Sequence, residues 1–186
     1  MAYPNVFSPN GFLPLLGDNI KSPKLIKRPV LGSRVATASA TEVILSNYDA
    51  YTLDANGNAK HAGPNDVVYG IVSAIVLAPL PSVMNANGPL SQDQILAADA
   101  GTIIGIEDPN VLFEVQTDTF AAANRGGLFN LVDALASTLF RQSRQSLNVG
   151  GGAGVQFRAI DIVARPTDNV LGANARVFVK LAQAVA

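Results

Sequence analysis

The residues from Ala175 to Leu181 alternate so regularly that a half-buried β-strand is the natural reading. Val177, Val179 and Leu181 fall on one face and Arg176, Phe178 and Lys180 on the other. Two earlier stretches share this period of two. In Val111 to Thr117, Val111, Phe113 and Val115 alternate with Leu112, Glu114 and Gln116; in Val155 to Pro166, Val155, Phe157, Ala159 and Ile162 fall at or near every second position. Arg165-Pro-Thr-Asp-Asn169 separates the last two strands as a turn, because proline fixes φ and Asp and Asn bond locally to backbone. A chain ending in such strands must bury one face of a sheet.

The remainder is punctuated in the same way. Asn56-Gly57 marks a hairpin between Asn47 to Leu53 and the segment that follows, and Gly63-Pro-Asn-Asp66 is a further turn. Val67 to Leu77 is a nearly continuous apolar strand in which Gly70 suggests a bulge or a close backbone approach. Ser33 to Leu45, small and Thr-rich and then β-branched, reads as a strand, Ile95 to Ala98 and Gly101 to Ile106 as two short strands flanking Asp99, and Pro79 to Asp93 as an excursion. Leu128 to Leu135 fits a strand or one or two helical turns, and Val149 to Gly154 a flexible loop. With no long amphipathic helix and no repeat, the pattern predicts an all-β fold: a compact antiparallel β-barrel or jelly-roll-like sandwich with little helix.

Ahead of this body, residues 1–33 hold five of the eleven prolines, too closely spaced for a helix and poorly suited to a central strand. They predict an extended N-terminal arm joined to a single body domain over residues 34–186. Charge divides similarly: residues 1–41 carry five basic residues against Asp18 alone, a balance of +4, and the rest of the chain sums to −5. A basic arm that also carries Phe7, Phe12 and Leu15 is expected to dock on an acidic surface, with Lys24, Lys27 and Arg28 supplying charge. Charged residues are only 15% of the 186, so part of the neutral surface is expected to be covered by other subunits, through a dimer or a trimer. Arg141 and Arg144 form the one basic pair outside the arm and suit a subunit contact.

Constellations that carry chemistry are scarce. His61 is the single histidine and cysteine is absent, so a metal or catalytic centre would rest on scattered carboxylates; His61 reads as a surface residue. Gly150 to Gly154 lacks the Lys-Ser/Thr of a phosphate cradle, and Asp54-Ala-Asn-Gly-Asn58 lacks the terminal Glu of a calcium loop. No catalytic, cofactor or metal residue is therefore nominated, and an enzyme is not expected. The acidic body disfavours nucleic acid. No apolar run reaches the roughly 18 residues of a membrane span, and the first residues lack the basic and apolar regions of a secretory signal.

Phe113-Glu-Val-Gln-Thr-Asp118, the small-residue stretch ending near Asn124, Gln156 to Asn169, and Gly172-Ala-Asn-Ala-Arg-Val-Phe-Val-Lys180 together resemble a group of tailed-bacteriophage capsid decoration, or cement, proteins. Tyr69-Gly-Ile-Val72 fits an early strand of the same group. The resemblance implies a structural protein that binds the outside of a phage head and bridges capsomers, with the major capsid protein as partner and the virion surface as location after synthesis in the bacterial host's cytoplasm. A receptor- or glycan-binding head protein, or another minor virion component, is the alternative; the absence of tryptophan counts against a glycan site.

Overall fold

A computed structural model describes residues 9–15, 23–31, 43–77, 94–96, 100–134, 143–164 and 169–182. Among the described residues fifteen strands follow one another: β1 (Leu13–Leu15), β2 (Leu25–Leu31), β3 (Val43–Ser46), β4 (Ala50–Leu53), β5 (Ala59–His61), β6 (Gly70–Leu77), β7 (Gln94–Leu96), β8 (Ala100–Ile106), β9 (Leu112–Gln116), β10 (Thr119–Phe120), β11 (Leu128–Val132), β12 (Ser146–Asn148), β13 (Phe157–Ile162), β14 (Gly172–Ala173) and β15 (Arg176–Leu181). Among the described residues the only helical element is a single 3-10 turn at Ala122–Asn124. The fold is all-β, as the alternation predicts.

The strands form two large antiparallel sheets and two short ribbons. One sheet has the order β1-β9-β15-β13-β11-β12, the other β2-β8-β6-β4-β5; β10 pairs with β14 and β3 with β7. Both sheets roll up. In the first, Thr117, just past β9, bridges Leu147 of β12 in parallel, and the Asp118 amide donates to the Leu147 carbonyl at 3.3 Å. In the second, β5 comes to lie against β2. Rolling removes most of the free edge that an open sheet would expose.

Burial follows the period of two. Val177, Val179 and Leu181 of β15 face inward and are buried, whereas Arg176, Phe178 and Lys180 are partly exposed. They join Phe113, Val115, Phe129, Leu131, Leu147 and Phe157 in the larger apolar cluster, which is completed from the second sheet by Ala50, Ile71 and Ile106. A smaller cluster fills the second roll with Val30, Leu45, Tyr51, Ala59, Val72, Ile75 and Ile103. Neighbours such as Tyr51 and Ala50, or Val72 and Ile71, thus serve different cores. At Gly70 and Gly105 an added Cβ would run into the Tyr51 ring, so both glycines are the floor on which that ring lies.

The N-terminal region departs from the expected arm. The sequence reading places residues 1–33 outside the body, whereas β1 joins the edge of β9 and β2 runs the length of β8. Proline is compatible with both positions because β1 and β2 are edge strands, where a missing N–H breaks no ladder; Pro14 and Pro29 lie there. The expected excursion from Pro79 to Asp93 and the turn residues Arg165 to Asp168 lie outside the described residues.

Candidate functional site

Three polar constructions stand where strands meet. At one end of the smaller core, the Arg28 Nε donates to Glu107 Oε1 at 2.8 Å and an Nη to Oε2 at 2.9 Å, while the Tyr51 hydroxyl donates to Oε1 at 2.6 Å. Burial pushes the Glu107 carboxyl upward, but these charged and neutral donors outweigh it and hold it below the usual glutamate range. Burial, reinforced by the carboxylate beside it, raises the Tyr51 phenol well above its ordinary value, and the bond to Glu107 raises the Arg28 guanidinium. The group ties β2, β4 and the end of β8, and all its charge is internally matched.

The second construction lies between the two sheets. Gln145 accepts the Ala50 N–H at 2.6 Å and donates to the Ala62 carbonyl at 3.1 Å, which sets its amide orientation. The same Nε2 lies 3.0 Å from His61 Nε2, so that ring nitrogen is the acceptor and Nδ1–H points to Asp133 Oδ1, 3.2 Å away. Asp49 is fully buried 3.9 Å from His61 Nε2. Burial pushes its carboxyl up to about 6 against the opposing pull of His61, the Ser143 hydroxyl and the Ser46 amide. Nearby, Gln156 repeats the tie: Oε1 accepts the Leu131 N–H, and Nε2 donates to the carbonyls of Gly63 and Asp66 at 2.8 and 2.7 Å. His61 is therefore not the free surface residue the sequence suggests. Both ring nitrogens are engaged, which leaves neither as a ready ligand or base.

The third construction is Asp118, which accepts N–H groups from Thr119, Val149 and Gly150 at 2.8 to 2.9 Å. Its carboxylate holds the glycine-rich loop against the seam where β9 meets β12, so the start of that loop is clasped rather than free. Asp54 acts similarly in its hairpin, accepting from the amides of Asn56 and Asn58 and from Asn58 Nδ2. Those bonds, with Asn58 first, lower its carboxyl. Among the described residues, no group of three or more His, Asp or Glu side chains is placed to hold a metal, and no helix is long and apolar enough to cross a membrane.

The expected interface residues scatter. Phe12 is fully buried and stacked on Phe157, with ring centroids 4.3 Å apart and planes at 13°, so it belongs to the chain's own core. Arg28 is matched by Glu107; Leu15 is half-buried on β1, and Lys24, Lys27 and Arg144 are exposed. Phe7 and Arg141 lie outside the described residues. What the sequence reading misses is a set of exposed apolar side chains on the outer surfaces of the two rolls. Register places Leu25, Lys27 and Pro29 of β2, Thr102 and Ile104 of β8, and Ala74 and Val76 of β6 on the outward face of the second roll, with Leu25 and Val76 each 54% exposed. On the first roll, Val132, Ile160 and, just before β13, Val155 also face solvent, Val155 at 55%. Alternation within β6 could have flagged Val76, but the continuous apolar run hides which face is outward. Comparison with protein-family models, curated proteins and solved structures finds no match to this chain.

Proposed function

We propose that the protein is a structural, non-enzymatic component of a phage virion, a capsid decoration protein that binds the outside of the shell and bridges capsomers. The observation that carries the reading is the exposure of large apolar side chains on strands of both rolls, Leu25 and Val76 on one and Val132 and Ile160 on the other, with Val155 beside them just before β13. A bridging protein requires at least two adhesive faces on a body that resists deformation. Here the faces are strand surfaces, and the body is braced by the Gln145 and Gln156 ties between sheets. Exposed apolar residues on rigid strands are ready to bind without loss of loop entropy. Modest interfaces repeated over a lattice would then add through avidity. The described polar groups at strand junctions, Glu107, Gln145, Gln156 and Asp118, are engaged in holding the fold together.

The test is co-sedimentation of the full chain with expanded, empty phage shells, read beside the temperature at which the shells disrupt. Binding with a raised disruption temperature is expected, and Leu25→Lys with Val76→Lys should weaken it without lowering the protein's own melting temperature. A stable chain that sediments with no shell overturns the reading.

A further inference from the structure

We propose that the cross-strand pair Arg158 and Lys180, on the outward face of the first roll, is a binding site for carboxylates presented by an acidic segment of a partner protein. The two residues are register partners on β13 and β15, with Arg158 exposed and Lys180 half-buried. Directly opposed residues share a face and hold their Cβ atoms about 4.5 to 5.5 Å apart, and like charges in that position repel. Among the described residues no carboxylate forms an ion pair with either cation.

The neighbouring arginines are arranged differently. Arg125 is held by Asp161 at 2.7 Å and Arg176 by Glu114 at 3.2 Å. Asp161 and Glu114 are both register partners of Phe178, two residues along β15 from Lys180, so the acids of the adjacent row are already engaged. Arg158 has a carbonyl instead: its Nη1 donates to Gly126 O at 3.2 Å. That bond holds one edge of the guanidinium and leaves its other donors for a ligand. The frame around the pair is apolar, with Leu128 opposite Arg158 on β11 and Phe178 and Ile160 beside it on the same face. A carboxylate that accepts from both cations converts one repulsion into two attractions, and apolar neighbours on the same partner segment would cover Leu128 and Ile160. Nucleic acid fits less well, because residues 42–186 sum to −5 and repel an extended polyanion beyond the two-cation contact. The pair thus destabilises the isolated chain and becomes favourable once an acidic partner is bound. The inference holds for any partner that presents carboxylates and does not rest on the shell-binding reading.

Two measurements on the full chain test it. Lys180→Glu makes the opposed pair attractive and should raise the melting temperature by about 2 to 4 °C at low salt, a gain that disappears in high salt. In an NMR titration of the isotopically labelled chain, a glutamate-rich peptide should shift the amides of Leu128, Arg158 and Lys180, and Arg158→Gln or Lys180→Glu should abolish those shifts. An oligodeoxynucleotide of equal charge is the comparison and should bind more weakly. Shifts centred elsewhere or absent, shifts that survive both substitutions, tighter binding of the oligonucleotide, or a Lys180→Glu chain that melts no higher than the parent at low salt would each overturn the proposal. No shell enters these measurements, so their failure leaves the shell-binding reading standing.

Discussion

At the scale of single residues, the buried acids make opposing contributions to stability. Asp49 has a folded-state pKa of about 6, above its ordinary 3.8, so the folded chain holds a proton there that the unfolded chain releases. Its contribution is fully present below pH 3.8 and is lost as pH rises through about 6, a penalty of roughly 3 kcal/mol at neutrality. Glu107 is shifted downward, so its contribution is present at neutral pH and is lost in acid as the carboxylate takes up a proton. Stability is therefore expected to peak in mild acid, which melting temperatures from pH 3 to 8 will show. Asp49→Asn keeps an acceptor for the Ser46 amide and removes the buried charge; it should raise the melting temperature at pH 7 and flatten the profile between pH 4 and 6. A melting temperature at pH 7 below that of the parent would refute this account of Asp49. Gly105 is a second single-residue test. Its missing side chain is the space occupied by the Tyr51 ring, so Gly105→Ala should destabilise by about 1 to 3 kcal/mol in denaturant titration.

At the scale of elements, the important contacts are the seams. The first roll closes where β9 meets β12, and the closure has few backbone bonds of its own: the Thr117–Leu147 bridge, the Asp118 amide and the Asp118 carboxylate. Asp118→Ala leaves the amides of Val149 and Gly150 without their acceptor, at a cost of about 1 to 2 kcal/mol because water can reach part of the site. Amide exchange should quicken at those two residues first, ahead of β13 and β15; uniform protection would mean that the carboxylate does not hold the seam. At the other side of the same sheet, Phe12→Ala removes the ring stacked on Phe157 and should cost about 3 to 5 kcal/mol, the range for a large aromatic lost from a core. A loss below about 1 kcal/mol would show that the segment can leave the sheet edge with little consequence for the body. The ribbons β3-β7 and β10-β14 are too short to be stable alone and depend on the rolls beside them.

At the scale of the whole molecule, the described N-terminal strands β1 and β2 are parts of the two sheets. Deleting residues 1–31 removes β1 and β2, uncovers the edges of β8 and β9 and strips Val30 and Arg28 from the smaller core and its ion pair. Such a chain is expected to lose its cooperative thermal transition, which circular dichroism will show, so shell-binding assays are better read with Leu25 and Val76 variants than with truncations. An intact transition after that deletion would mean that the body closes without its first two strands. The sequence alone determined the strand content, because alternation such as Val177, Val179, Leu181 has no other low-energy use, and it determined the hairpin at Asn56-Gly57, whose glycine adopts φ +80°. Only the tertiary structure decided where the edges lie and what each polar side chain serves. Pro14 and Pro29 read locally as breakers, and an edge position, which is a property of neighbouring strands, makes them acceptable. Phe12 reads as an exposed anchor until Phe157, far along the chain, covers it, and Gln145, Gln156 and Asp118 acquire their tasks from backbone groups brought to them by folding.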